Sequence, residues 1–359
     1  MKVNGKNLTT IWYDEKEDHI NIIDQTILPH KIKIRSLKTL EDTTHAIKNM
    51  LVRGAPLIGV TAAYGMYLAS KLNSSDKHLL YAAKLLKSTR PTAVNLKWSI
   101  DKIIIGIKNI INQDRPQKIL SLANNIRTED INTCSKIGDN GLLLLEEIYK
   151  NKKSTINILT HCNAGWLATV DWGTALSPIF KANKKKIPIH VWVDETRPRN
   201  QGFNLTAWEL MNEGIPNSLI VDNVGGHIMQ KGDVDLCITG TDRTTLNGDV
   251  CNKIGTYLKA LAAYDNKIPF FVAAPISSID FSIKDGLKNI PIEERESEEV
   301  STIYGINSKG FVDKIRIVPE KAECKNYAFD VTPAKYITKI ITEKTNVDPT
   351  TKSISSLLK

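Results

Sequence analysis

From residue 156 onward, short apolar runs alternate with helical stretches, and that alternation constrains the fold more than any other feature of the chain. The runs Ile156 to His161, Ile187 to Val193, Ser218 to Val221, Val234 to Thr239, Pro269 to Ala273 and Lys314 to Val318 have the length and β-branched content of buried strands. Parallel strands need a long crossover between them, so helical spacers predict a mainly parallel sheet covered on both faces. The expected class is α/β, with a Rossmann-like body over residues 151–359. No GxGxxG follows the first strand and no GxxxxGK[ST] occurs, which removes the usual support for nicotinamide, flavin or nucleotide-triphosphate binding.

The first part of the chain reads differently. Residues 1 to about 35 alternate polar and apolar side chains, as a short antiparallel meander does, and suit a lid or side sheet. From Thr39, the residues Leu40, Thr44, Ile47 and Leu51 recur at helical spacing until Arg53-Gly54-Ala55-Pro56 breaks the run. The small residues Gly59, Ala62, Ala63 and Gly65 then suit a closely packed helix. Further helices are expected over Lys77 to Leu86, Ala93 to Ile111 and Pro116 to Tyr149, with Thr92 capping the second of these. A mostly helical domain over 1–150 follows, joined to the second domain at the charged link Lys150 to Ser154; a chain of 359 residues is long enough for two.

Composition narrows the function classes. The net charge of +9 comes from lysines scattered over helices rather than gathered with aromatics, which favours anionic ligands over nucleic acid. No apolar run approaches the roughly 20 residues that span a bilayer, and the first residues lack a signal-peptide core, so a cytoplasmic protein is expected. The five cysteines form no zinc-like spacing and are expected as reduced thiols. The polar stretch Asp348 to Lys359 reads as a mobile tail.

Three polar clusters fall at strand ends, where open α/β sheets bind ligands. Asp242 follows the run ending at Thr239. After a turn at Asn247-Gly248-Asp249, Asn252, Lys253 and Gly255 are expected to open a helix whose backbone N–H groups form an anion site. A plain β-turn-α connection with a capping Asp is the alternative. Cys162 follows the run ending at His161 and is expected to face a helix N-terminus, whose field would lower a thiol's pKa; an inert buried cysteine is the other reading. His161 itself reads as a hydrogen-bonded structural histidine. The Asp194 to Gly202 loop presents Gln201 to a hydroxylated ligand, or pairs its acids with Arg197 and Arg199. Asp222 is expected to cap the helix that follows it. Arg53 and Arg90, held at helix ends, suit phosphate, with a dipole contact as the plainer role for Arg53.

The motifs RGAPLIG, RPTAVNL, THCNAG, DETRPRNQG and GTDRTTLNGDVCNKIGTY occur in this order, followed by IPIEER at Ile290 and FDVTPAKYIT at Phe329. With them, from about Leu28 to Thr342, the chain resembles the family that joins 5-methylthioribose-1-phosphate isomerases to regulatory subunits of translation initiation factor 2B. The resemblance implies a helical N-terminal domain on a Rossmann-like one, assembled as a homodimer. It implies that Cys162 and Asp242 are catalytic and that Arg53, Gly54, Ala55, Arg90, Gln201, Asn252 and Lys253 bind a sugar phosphate, with no metal or organic cofactor. Thr241 and the pair Gly225 and Gly226 depart from its usual alanines. In the implied reaction Asp242 protonates a furanose ring oxygen, and hydrogen then moves from C2 to C1. Cys162 either carries it as a proton through an enolate-like species or shields a direct hydride shift. Ribose 1,5-bisphosphate and 5-deoxyribose 1-phosphate are alternative substrates, and a non-catalytic regulatory subunit is the alternative of another class. Trp166 and Trp172 either line a pocket for the sugar's tail or belong to the core.

Overall fold

Strand pairing decides where the polar clusters meet. The computed structural model describes residues 1–3, 5–90 and 93–358. Its large sheet comprises β1 (Ile156–Thr160), β2 (Ile189–Asp194), β3 (Asn217–Ile220), β4 (Leu236–Thr239), β5 (Phe270–Ala273), β6 (Lys339–Ile341) and β7 (Asn346–Val347), in the order 3-2-1-4-5-6-7. All neighbours are parallel except β6 and β7. This is the doubly wound order, which reverses direction between β1 and β4.

Side chains alternate across these strands and feed two apolar layers. Ile156, Ile158, Val191, Val193, Leu236 and Ile238 pack on one face with Leu142, Leu145 and Phe180. Leu159, Cys237, Phe270 and Val272 pack on the other with Ile228, Ala260 and Ala263. Both faces are thus covered by helices, as the spacing predicted.

Ahead of the sheet lie an antiparallel meander (Ile11–Asp14, His19–Ile23, Ile34–Leu37) and five helices. The helices are α1 (Leu40–Lys48), α2 (Ala55–Leu72), α3 (Asp76–Thr89), α4 (Val94–Gly106) and α5 (Arg115–Lys152). Helix α2 is buried nearly all round, and its small residues explain how: a Cβ on Gly59 would lie 2.9 Å from the Asn95 carbonyl oxygen. Thr92, expected to cap α4, lies outside the described residues.

Two expectations fail. The run Lys314 to Val318 does not join the sheet; the strand observed there, Val312–Arg316, pairs with Thr302–Ile306 in an exposed hairpin. An alternating pattern shows that a segment can be a strand but not what it pairs with. The C-terminal stretch is docked rather than a loose tail. Thr350 caps a short helix, Thr351–Ser355, by accepting from the Ser353 N–H, and Ile354 and Leu357 enter the second apolar layer. Those two apolar residues, one helical turn apart, were the missed signal. No helix among the described residues is long and apolar enough to cross a membrane.

Candidate active site

Because the strand order reverses between β1 and β4, their carboxyl ends flank an open crevice. Cys162 lies just past β1 and Asp242 just past β4, and both line a cavity of about 100 Å³ there. All nine residues that the family resemblance pointed to line this cavity. Helix α2 enters it end-on, so the helical part of the chain supplies one wall and the sheet the other.

The Cys162 loop is rigid. Its backbone is left-handed (φ 67°), a conformation that costs a non-glycine residue roughly 1 kcal/mol. The Cys162 N–H donates to Thr196 Oγ1 (2.8 Å), and its carbonyl accepts from the Thr206 hydroxyl (2.7 Å). Beyond it, the buried Glu209 carboxylate accepts from the Asn163 amide (2.8 Å) and from the N–H groups of Trp166 (2.8 Å) and Leu167 (3.1 Å). Burial raises the Glu209 carboxyl to about 7. Asn163 in turn receives the Arg53 guanidinium on its side-chain and main-chain oxygens, both at 2.6 Å. Glu209 therefore orients Arg53 through Asn163. No local pattern in the sequence announces this link, because Glu209 lies 46 residues from Asn163.

The field expected to favour a Cys162 thiolate is absent. Only a short turn, Trp166–Ala168, follows the cysteine, and the next helix starts at Leu176. Burial pushes the thiol's pKa up, against a downward pull from Arg53 and Lys253. The resting group is the uncharged thiol. Asp242, whose N–H donates to the Cys251 carbonyl (2.9 Å), is also raised by burial, opposed by Lys253, Arg90 and Arg53.

The anion cradle expected after Asp242 is not built as the sequence suggested. Residues Val250–Lys253 form a strand, antiparallel to Arg243–Thr245, instead of opening a helix. The helix Thr256–Asp265 does begin after Gly255, but its N-terminus is already occupied. The Asp330 carboxylate accepts from the Gly255 N–H (2.7 Å) and the Tyr257 N–H (3.1 Å). Asn252 and Lys253 reach the cavity from the strand. Asn252 donates to Thr256 Oγ1 (3.0 Å); Lys253 donates to the Ala328 carbonyl (2.9 Å), and burial lowers its ammonium pKa.

Helix α2 offers the N-terminus that remains open. Gly54, at φ 90°, precedes it without a side-chain cap, and Arg53 stands beside it. A Cβ on Gly54 would lie 2.4 Å from the Ala168 carbonyl oxygen, so only glycine fits. Arg90 ends α3 and points into the same cavity; its buried Nε lacks a hydrogen-bond partner, as does Gln201 Oε1. Unpaired buried polar atoms lining one cavity are groups for a polar ligand to satisfy.

His161 is structural, as expected: its ring joins Asp194 (2.8 Å) to the Ile254 carbonyl (2.8 Å). His161, Asp194 and Asp222 lie close enough to hold a metal ion, but Lys259 Nζ already stands 3.2 Å from the Asp194 carboxylate. An ammonium fills the place of a cation there. Asp222 does not cap the helix after it; its oxygens accept from the Thr196 and Arg197 N–H groups (2.8 Å each), bracing the loop that carries Gln201. Arg197 donates to backbone carbonyls at Pro198 and Val300, and Arg199 pairs with Glu299, so neither forms an ion pair with the acids of its own loop. Trp166 is fully buried in the core, and Trp172 lies under the Lys184 ammonium (4.1 Å). Neither lines the cavity.

The profile of the Initiation factor 2 subunit family matches residues 51–349. A protein of Escherichia coli O45:K1 named methylthioribose-1-phosphate isomerase is 56% identical over 96% of this chain and 93% of its own length. Among solved structures, 5-methylthioribose 1-phosphate isomerase from Pyrococcus horikoshii is 39% identical with a TM-score of 0.84, covering 98% of this chain and 96% of that one. The delta subunit of translation initiation factor eIF-2B from A. fulgidus is 37% identical with a TM-score of 0.79, covering 98% and 99%.

Proposed function

The chain belongs to the initiation factor 2 subunit family, and from that premise we propose that it is an aldose-ketose isomerase converting 5-methylthioribose 1-phosphate to 5-methylthioribulose 1-phosphate. One observation carries the reading. Two acids whose pKa values burial raises, Cys162 and Asp242, share a small cavity with Arg53, Arg90 and Lys253.

Phosphate on C1 blocks the free aldehyde that ordinary aldose isomerases use, so the ring must open with phosphate attached. Arg53 and the open N-terminus of α2 hold that phosphate, with Arg90 and Lys253 adding charge. Asn252 and Gln201 position the hydroxyls. Asp242, its carboxyl pushed up by burial, gives a proton to the ring oxygen as the C1–O bond breaks. Positive charge then develops at C1. A hydride moves from C2 to C1, and the C2 hydroxyl proton returns to Asp242, leaving a ketone at C2 and a CH₂ at C1. Atoms and electrons balance without an external oxidant or reductant. The neutral Cys162 thiol suits this route, since a thiolate would add to the electron-poor C1. The proposal extends to a homodimer acting in cytoplasmic methionine salvage, and to a domain division at 150/151. An apolar cluster confined almost wholly to residues 11–126 supports two separate cores, with Ile137, Leu142 and Leu145 in the later part of α5 packed into the sheet's core.

Paired variants test the roles. Asp242→Asn should lower kcat by about 10²–10⁴-fold with little change in phosphate affinity. Cys162→Ser should retain turnover within about tenfold, whereas complete loss would restore the proton-shuttle route. Wild-type protein that produces no ketose would overturn the function itself.

A further inference from the structure

The segment joining helix Gly286–Asn289 to helix Glu298–Ser301 crosses the cavity's edge, where Ile290 and Pro291 line it. It is pinned by main-chain bonds from Ala328 to Glu293 (2.9 Å) and from Arg295 to Asn326 (2.8 Å). Glu293 therefore has a fixed backbone. One of its carboxylate oxygens takes a hydrogen bond from Arg295 (3.1 Å). Arg295 is itself clamped by two donors onto Glu299, which also receives Arg199 (2.7 Å). The other Glu293 oxygen lies 3.8 Å from an Arg90 terminal nitrogen. That separation gives attraction without a hydrogen bond. Arg90 is otherwise buried, with its Nε unpartnered. A guanidinium held by charge alone is poised to exchange one anion for a better-placed one.

We propose that Glu293 is the resting counterion of Arg90 and that the substrate's phosphate displaces it, so that Glu293 limits how tightly the site holds phosphate. The inference rests on the isomerase reading only in naming phosphate as the anion. It makes Glu293 a positioning residue with an unusual sign: removing its charge should tighten binding. A merely structural role for Glu293 would weaken binding instead.

Calorimetric titration of inorganic phosphate into the full-length protein, its Glu293→Gln and Arg90→Ala variants and the double variant decides the matter. Glu293→Gln should tighten phosphate binding by about tenfold, with Glu293→Ala moving the same way. In the Arg90→Ala background the Glu293→Gln effect should largely vanish, since the two act as a pair. Unchanged or weaker binding in both Glu293 variants, or a gain that persists without Arg90, would overturn the proposal. Turnover of 5-methylthioribose 1-phosphate, measured alongside, separates the two ideas. Its absence in wild type would remove the isomerase reading while the phosphate titrations still judged Glu293.

Discussion

Two helix N-termini approach the cavity, and in sequence they look alike: Arg53-Gly54 before α2, and Lys253-Ile254-Gly255 before helix Thr256–Asp265. Both glycines are left-handed, at φ 90° and φ 101°. Their fates are opposite. The second is closed by Asp330, 75 residues beyond Gly255, whereas the first has no side-chain cap and opens onto the cavity between Arg53 and Ala55. A helix N-terminus is thus a site for an external anion only where the protein has not supplied its own. A carboxylate from a distant strand is the kind of partner that local sequence does not reveal.

Substitutions distinguish the open N-terminus from the closed one. The largest effect is expected from Gly54→Ala. It puts a side chain at positive φ and against the Ala168 carbonyl, and the resulting shift of the open N-terminus should lower kcat/KM by about 10²-fold. Arg53→Ala comes next. Loss of one charge-assisted contact should raise KM for the sugar phosphate by about ten- to a hundredfold with a smaller change in kcat. Asp330→Asn should do the reverse, lowering stability in urea melts by about 1–3 kcal/mol while leaving KM within about twofold. A rise in KM like that of Arg53→Ala would show that phosphate uses the closed N-terminus after all. The smallest effect concerns pH. Burial raises the Asp330 carboxyl to about 6, so its stabilising contribution is complete below about pH 4 and is lost as pH rises through 6. Urea melts at pH 5 and 7 should show a flatter pH dependence in Asp330→Asn than in wild type.

What the sequence made legible follows the same division between local and distant causes. The strand runs from Ile156 to Ala273 and the helix break at Arg53-Gly54 were visible because periodicity and glycine punctuation are local. Their convergence on one cavity followed from the family resemblance, not from spacing. Of the two readings of Cys162, the structure favours the buried thiol, because the chain makes only the turn Trp166–Ala168 where a helix was expected. The run Lys314 to Val318 was given to the main sheet for a related reason: partner choice is decided in three dimensions. Glu209 lies 46 residues from Asn163 and Asp330 lies 75 from Gly255, and Glu293 is farther still from Arg90, so their roles had no local signal. Asn163, next to Cys162, stood within the THCNAG motif, yet its duty toward Arg53 depends on Glu209.

A proton NMR time course of the wild-type protein with 5-methylthioribose 1-phosphate in D₂O follows both the reaction and the fate of the C2 hydrogen. The anomeric signal should disappear and the ketose form, with both C1 hydrogens free of solvent deuterium because the C2 hydrogen is delivered as hydride. Deuterium at C1 would contradict the hydride route, and no ketose from folded protein would contradict the isomerase reading.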